Sequence, residues 1–104
     1  MSSLKDLSKK TLKISKTFGG PEWSAEARLI DLMEEVGELS NAILVKEGYK
    51  NKKRAKAELE DSLCDVLYEL LILSELYGID LEREYVNKLK RLEQRIKQRE
   101  FQDD

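Results

Sequence analysis

Histidine is missing from this chain altogether. That excludes a Ser-His or Cys-His dyad and removes a main nitrogen ligand of zinc, so no zinc site is expected. The single cysteine, Cys64, has no partner for an internal disulfide. It stands in an apolar run and reads as a buried, inert thiol. The one proline, Pro21, closes a Phe18-Gly19-Gly20-Pro21 turn. That turn is no glycine-rich phosphate cradle, and none occurs elsewhere. No apolar run approaches the ~18 residues of a membrane span, and no signal peptide is evident. The chain therefore reads as soluble, intracellular and cytoplasmic, without a membrane partner. A block of one charge is lacking too. Charged residues make up 38% of the chain, with a formal net charge of -2. Lysines and arginines are interleaved with acids, and no aromatic-basic pattern stands out, which argues against a nucleic-acid partner. What remains for chemistry is carboxylate: any hydrolysis must use acids and a metal ion.

A chain of 104 residues is one domain with a modest core, and oligomerisation would help it. No segment alternates apolar and polar residues with period two, and there is no repeat, low-complexity tract or linker. Helical spacing runs throughout. Residues 3–17, with Leu4, Leu7, Leu12 and Ile14, form a weak amphipathic helix suited to packing on a partner. After the turn and Trp23, Ser24 is placed as an N-cap. A second helix is expected over about 25–47, with Leu29, Met33, Val36 and Ile43 on one buried face. Gly37 and Ala42 are small enough to let another helix approach, and Gly48 is placed as the C-terminal cap. Tyr49 to Arg54 is a basic link in which Asn51 can cap the next helix. That third helix is expected over about 52–77. Its later part, Leu63 to Leu76, is apolar almost all round, which implies a central position and a subunit interface. Gly78 ends it. Asp80 caps a fourth helix over about 81–99, with Leu81, Tyr85, Leu89, Leu92 and Ile96 on one stripe, and the tail from Phe101 is expected to fray. The fold class is all-α: an antiparallel helical bundle completed by oligomerisation.

Acids interrupt this apolar pattern at two places. Glu35 and Glu38 are three residues apart on the second helix and share a face. Asp61 and Asp65 share a face of the third. Solvated surface explains most helix charges, and Glu34, Glu47, Glu58, Glu60 and Glu75 fit that reading one by one. Asp65 fits it poorly, because it lies inside Leu63-Cys64-Asp65-Val66-Leu67 and has low helix propensity. A cation, an arginine or a metal must compensate it. Should the two faces meet, several carboxylates converge, and a hard divalent cation such as Mg²⁺ is a natural neutraliser.

The run Glu34-Glu35-Val36-Gly37-Glu38-Leu39, then Asp65-Val66-Leu67-Tyr68 and Tyr77-Gly78-Ile79-Asp80-Leu81, resembles the MazG-type all-α nucleoside triphosphate pyrophosphohydrolases. The likeness covers about residues 22–95 and implies one MazG-like domain over 1–104, with its core at 22–97. The family pattern is EExxE, a spacer, then ExxD. The resemblance implies Mg²⁺ (with Mn²⁺ as a substitute) on Glu35, Glu38 and Asp65. It implies hydrolysis of a nucleoside triphosphate to monophosphate and pyrophosphate, with Glu34 or Asp61 accepting a proton. Lys88 and Arg95 match the family's phosphate-facing positions. A homodimer or homotetramer is expected. Two departures stand out. Ser62 falls where the second motif's glutamate belongs, with Asp61 or Glu58 as substitutes, and Leu92 falls where asparagine is usual. They leave a degenerate nucleotide-binding or structural oligomer as the alternative. Trp23, Phe18 or Tyr68 can stack on a base, although core packing is the ordinary role for each.

Overall fold

A computed structural model of the chain describes residues 3–18 and 22–102, and the described residues form four α-helices. Helix α1 spans Leu4–Thr17, α2 Ala25–Lys46, α3 Leu59–Leu76 and α4 Leu81–Gln102. Local chemistry sets most of these ends. Ser3 Oγ accepts from the Asp6 N–H at 3.1 Å, and Ser24 Oγ accepts from Ala27 at 3.1 Å. Each satisfies one of the free donors at a helix start. Asp80 does the same for α4, accepting from Arg83 N–H at 3.1 Å. Gly48 and Gly78 adopt φ of 86° and 64°, the left-handed conformation that closes α2 and α3. The turn at Gly19-Gly20-Pro21 and the last two residues lie outside the described residues. Helix α4 extends to Gln102, and the rest of the tail expected to fray lies outside the described residues.

The third helix begins later than its pattern predicts. Lys52–Arg54 form a short 3-10 turn, capped by Asn51 Oδ1 accepting from Lys53 N–H at 3.1 Å, and α3 starts only at Leu59. Three consecutive cations at a helix start oppose the positive end of its dipole, whereas Glu60 and Asp61 in the first turn of α3 favour it.

Helix α3 is central, as its composition implies: α2 packs on one side and α1 on another. Both run against it. The start of α2 meets the later half of α3 through Arg28 and Glu69. The start of α1 lies beyond the end of α3, where Leu4 N–H donates to Glu82 Oε1 at 3.0 Å. Helix α1 thus packs within its own chain. Its buried Ser8 donates to its own helix at Leu4 O (2.9 Å), and buried Ser74 to Leu71 O (2.8 Å). With these hydroxyls satisfied, small side chains sit between helices at little cost. Helix α4 packs on α1.

The core is thin. Ala42, Leu71 and Ile72 are its buried apolar residues among those described. Cys64 is exposed, not buried, because it points off the outer side of α3. The expected buried face of α2 is also reversed: Leu29, Met33, Val36 and Ile43 are exposed. Arg28, Asp31, Glu35 and Glu38 lie on the more covered side, with Leu32, Leu39 and Ala42. Gly37 is on the outward side with nothing within 4 Å of a Cβ placed there. The periodicity located a real stripe on α2, but the neighbour within the chain covers its acidic face instead.

Candidate active site

Two rows of carboxylates run along the α2–α3 seam. One is Asp31, Glu35 and Glu38 on α2. The other is Asp61, Asp65 and Glu69 on α3. Spacings of three and four residues keep each row on one helix face. The antiparallel arrangement then brings the rows together.

Burial and neighbouring charge act on three of these acids. Glu35 is held above the ordinary carboxylate range, first by burial and then by the charges of Glu38, Asp65, Asp31 and Glu34. Its Oε2 is buried without a hydrogen-bond partner. Asp65 is likewise raised by burial, then by Asp61, Glu38 and Asp31. A hydrogen bond with Glu35 works the other way. Glu69 is pushed up to about 7 by burial first, and then by a hydrogen bond with Asp31 and the charge of Asp31, with Arg28 partly offsetting them. Desolvation and like-charge crowding both favour the neutral carboxyl, and here they act together.

Glu35, Glu38 and Asp65 thus act on one another across the seam, and Asp61 acts on Asp65 from one turn away on α3. Glu34 stands on the flank of α2 and lines an open depression with Trp23, Ala27, Ile30 and Asp31. Lys88 and Arg95 are exposed on α4, whose packing partner is α1 and not the acid seam. Ser62 is only 2% exposed on α3. Glu58 occupies the N-cap position of α3 without a side-chain capping bond and lies in a depression with Lys46, Lys52 and Lys56.

Sequence reasoning missed three members of this seam: Asp31, Glu69 and Arg28. A signal for the acids was present. Asp31 is four residues before Glu35, and Glu69 is four after Asp65, so each extends an acidic face already singled out. Arg28 Nη1 meets Glu69 Oε1 at 3.3 Å, and its guanidinium lies 5.0 Å from the centre of the Trp23 ring. At the other end, Lys56 Nζ meets Glu38 Oε1 at 3.3 Å.

The donor set is all oxygen, which suits Mg²⁺ or Mn²⁺ and not a soft metal. Among the described residues no three acids surround one point tightly enough to hold an ion as they stand. Mg²⁺ does not need that, because it keeps several waters and binds through one or two carboxylates. Glu35 Oε2 and Glu69 Oε2 are both buried without a hydrogen-bond partner, and burial with like-charge crowding pushes Glu35, Asp65 and Glu69 toward the neutral carboxyl, a pressure that a divalent cation would relieve.

Beside the seam lies an open cleft of about 480 Å³, bordered by Phe18, Trp23, Arg28 and Tyr68 with Leu12 and Ile72. The three aromatics expected to be core thus share one cleft wall, with Phe18 and Trp23 exposed. Among the described residues, no helix is long and apolar enough to cross a membrane.

Comparison with known proteins gives this geometry a relative. The fold matches the crystal structure of YpjD from Bacillus subtilis, provisionally assigned as a pyrophosphatase, with a TM-score of 0.75 and 26% identity. That match covers 88% of this chain and 94% of the other. No curated protein of known function matches the sequence. A family model described as the MazG nucleotide pyrophosphohydrolase domain matches residues 24–100. Both acid rows fall inside that span, as does most of the chain, which belongs to the MazG nucleotide pyrophosphohydrolase family.

Proposed function

We propose that this chain hydrolyses the α–β phosphoanhydride of a nucleoside triphosphate, releasing a monophosphate and pyrophosphate, with Mg²⁺ as cofactor and Mn²⁺ as a substitute. One observation carries the reading: two helices face each other across carboxylates, and a buried Glu35 oxygen among them has no partner.

Glu35, Glu38 and Asp65 are the residues that would hold the ion. When bound, the ion screens phosphate charge and makes a coordinated water more acidic. Asp61 or Glu34 accepts the proton of the attacking water. Asp61 lies one turn before Asp65 on the same face of α3, and Glu34 beside Glu35 on α2. Phe18, Trp23 and Tyr68 offer the base a stacking wall at the end of the seam. Arg28, held by Glu69, keeps that wall and the acid rows in register.

Lys88 and Arg95 neutralise phosphates only if α4 comes against an acid seam, which a second copy would supply. A homodimer or homotetramer fits the shape. The radius of gyration is 17.7 Å, against about 13 Å for a compact domain of this length. The outward stripes of α2 (Leu29, Met33, Val36), α3 (Leu63, Leu67, Leu70) and α4 (Tyr85, Leu89, Ile96) are uncovered. Apolar surface on this scale marks an interface.

A panel of nucleoside triphosphates with Mg²⁺, following monophosphate and pyrophosphate together, tests the activity. Release of both in equal amounts supports it, and release of orthophosphate alone rejects it. The buried Ser62, in place of the family's glutamate, favours a second reading: a binding or structural member without turnover. That reading predicts nucleotide binding and no products from any member of the panel.

A further inference from the structure

We propose that Lys56 is a transferable cation: it holds Glu38 while the acid seam is free of metal and moves to a substrate phosphate when a divalent ion takes Glu38. This rests on the pyrophosphohydrolase reading and adds to it a phosphate-binding residue outside the EExxE and ExxD segments.

The placement begins with a tethered loop. From the last residue of α2 through the loop to α3, Lys46, Lys50, Lys52, Lys53, Arg54 and Lys56 put six cations into eleven residues. The loop is folded back on α2. Past Gly48, the N–H groups of Tyr49 and Lys50 both donate to Leu44 O, at 2.8 and 3.2 Å. Lys50 Nζ donates to Asn41 Oδ1 at 2.7 Å, and the 3-10 turn packs on α2. These ties hold the loop against α2, and the ion pair to Glu38 puts Lys56 at the seam.

The ammonium itself is loosely held. Its bond to Glu38 is 3.3 Å long, with the Lys56 side chain 79% exposed. An ion pair this open to water is weak and exchangeable. A lysine stem has four rotatable carbons, so the charge can swing while the loop stays put.

Charge balance supplies the reason to move. A polyphosphate is strongly anionic, and so is the seam it must approach. Arg28 is committed to Glu69, with only 18% of its side chain exposed. Lys88 and Arg95 are on α4, away from these rows. Lys56 is already beside Glu38. With Glu38 taken up by a divalent ion, the Lys56 ammonium would lose its partner and would find a new one in the phosphate oxygens.

The exchange predicts effects of opposite sign, which an ornamental ion pair does not. Mn²⁺ binding, read from the resonance of free Mn²⁺, and binding of inorganic pyrophosphate with Mg²⁺, read by calorimetry, are measured for the full chain. In Lys56→Ala, Mn²⁺ without pyrophosphate should bind about two- to fivefold more tightly, because a competitor for Glu38 is gone. Pyrophosphate should bind about tenfold more weakly. Lys56→Arg should retain pyrophosphate binding, and Lys53→Ala, on the same loop, should match wild type in both. No difference between Lys56→Ala and Lys53→Ala overturns the proposal, as does a change in Mn²⁺ affinity alone. Turnover of a nucleotide with neither shift rejects the exchange and leaves the enzymatic reading intact. The two shifts in a protein that hydrolyses no nucleotide keep the exchange and reject the enzymatic reading. Absence of both Mn²⁺ and pyrophosphate binding in the wild type overturns both.

Discussion

Two ion pairs stand toward opposite ends of the α2–α3 seam, and both span 3.3 Å. Arg28–Glu69 is enclosed, with side chains 18% and 3% exposed. Lys56–Glu38 is open, at 79% and 29%. Distance alone would rank them equal. Solvent separates them. In the enclosed pair Glu69 has lost its water, so removing Arg28 leaves it stranded. In the open pair water replaces either partner at once. The enclosed end sets helix spacing, the open end is free to exchange ligands, and the remaining acids lie between a fixed support and an adjustable one.

The largest effect should come from the middle of the seam. Asp65→Asn should lower Mg²⁺-dependent pyrophosphate release by at least about a hundredfold, with circular dichroism unchanged. Unaltered turnover there would take Asp65 out of the site. At the enclosed end, Arg28→Ala should cost about 3 kcal/mol in urea unfolding at pH 8. The loss should shrink toward pH 5.5, because Glu69 can then take a proton instead of standing as a buried unpaired charge.

The pH profile of stability sharpens the same contrast. Glu69 titrates near 7 in the folded chain, against 4.5 for an ordinary glutamate. Between these values the folded state holds a proton that the unfolded state has lost. Its contribution is therefore fully present below about pH 4.5 and disappears as pH rises through about 7. Glu35 and Asp65 shift in the same direction. Metal-free protein should lose stability across this window by up to about 1.4 kcal/mol per pH unit for each proton involved. Glu69→Gln should flatten the profile, and a profile equally steep in that variant contradicts the assignment. Mg²⁺ should flatten it too if the ion replaces those protons.

Ser62→Glu asks whether the buried position on α3 has lost an acid. Mn²⁺ affinity should rise about threefold or more if it has. An unchanged affinity in an active protein would mean that Asp61 or Glu58 already fills the role. The smallest effect belongs to the open pair. Lys56→Ala should leave the melting temperature within error of wild type, and a loss as large as that of Arg28→Ala would erase the contrast between the two ends.

Much of this was legible in the residues. Ser24, Asp80, Gly48 and Gly78 marked helix ends through local hydrogen bonds and one permitted dihedral, and those interactions need no tertiary context. Glu35, Glu38, Asp61 and Asp65 were legible as acidic faces because i, i+3 and i, i+4 spacing is a property of the helix itself. Asp31 and Glu69 carried the same spacing, but spacing alone does not separate a seam acid from a solvated one. Their significance depends on burial. The start of α3 was misread because the pattern of residues 52–58 does not reveal that Asn51 caps a separate 3-10 turn.

The sequence by itself determined that the chain is helical, where most helices stop, and which acids share a face, since all three follow from contacts within a few residues. Only the tertiary structure decided which face of α2 turns inward. An apolar stripe and an acidic stripe both have helical period, and the choice between them depends on what α3 presents across the seam. It also decided that Arg28 is enclosed and Lys56 is not, because access to water belongs to the packed arrangement and not to either residue.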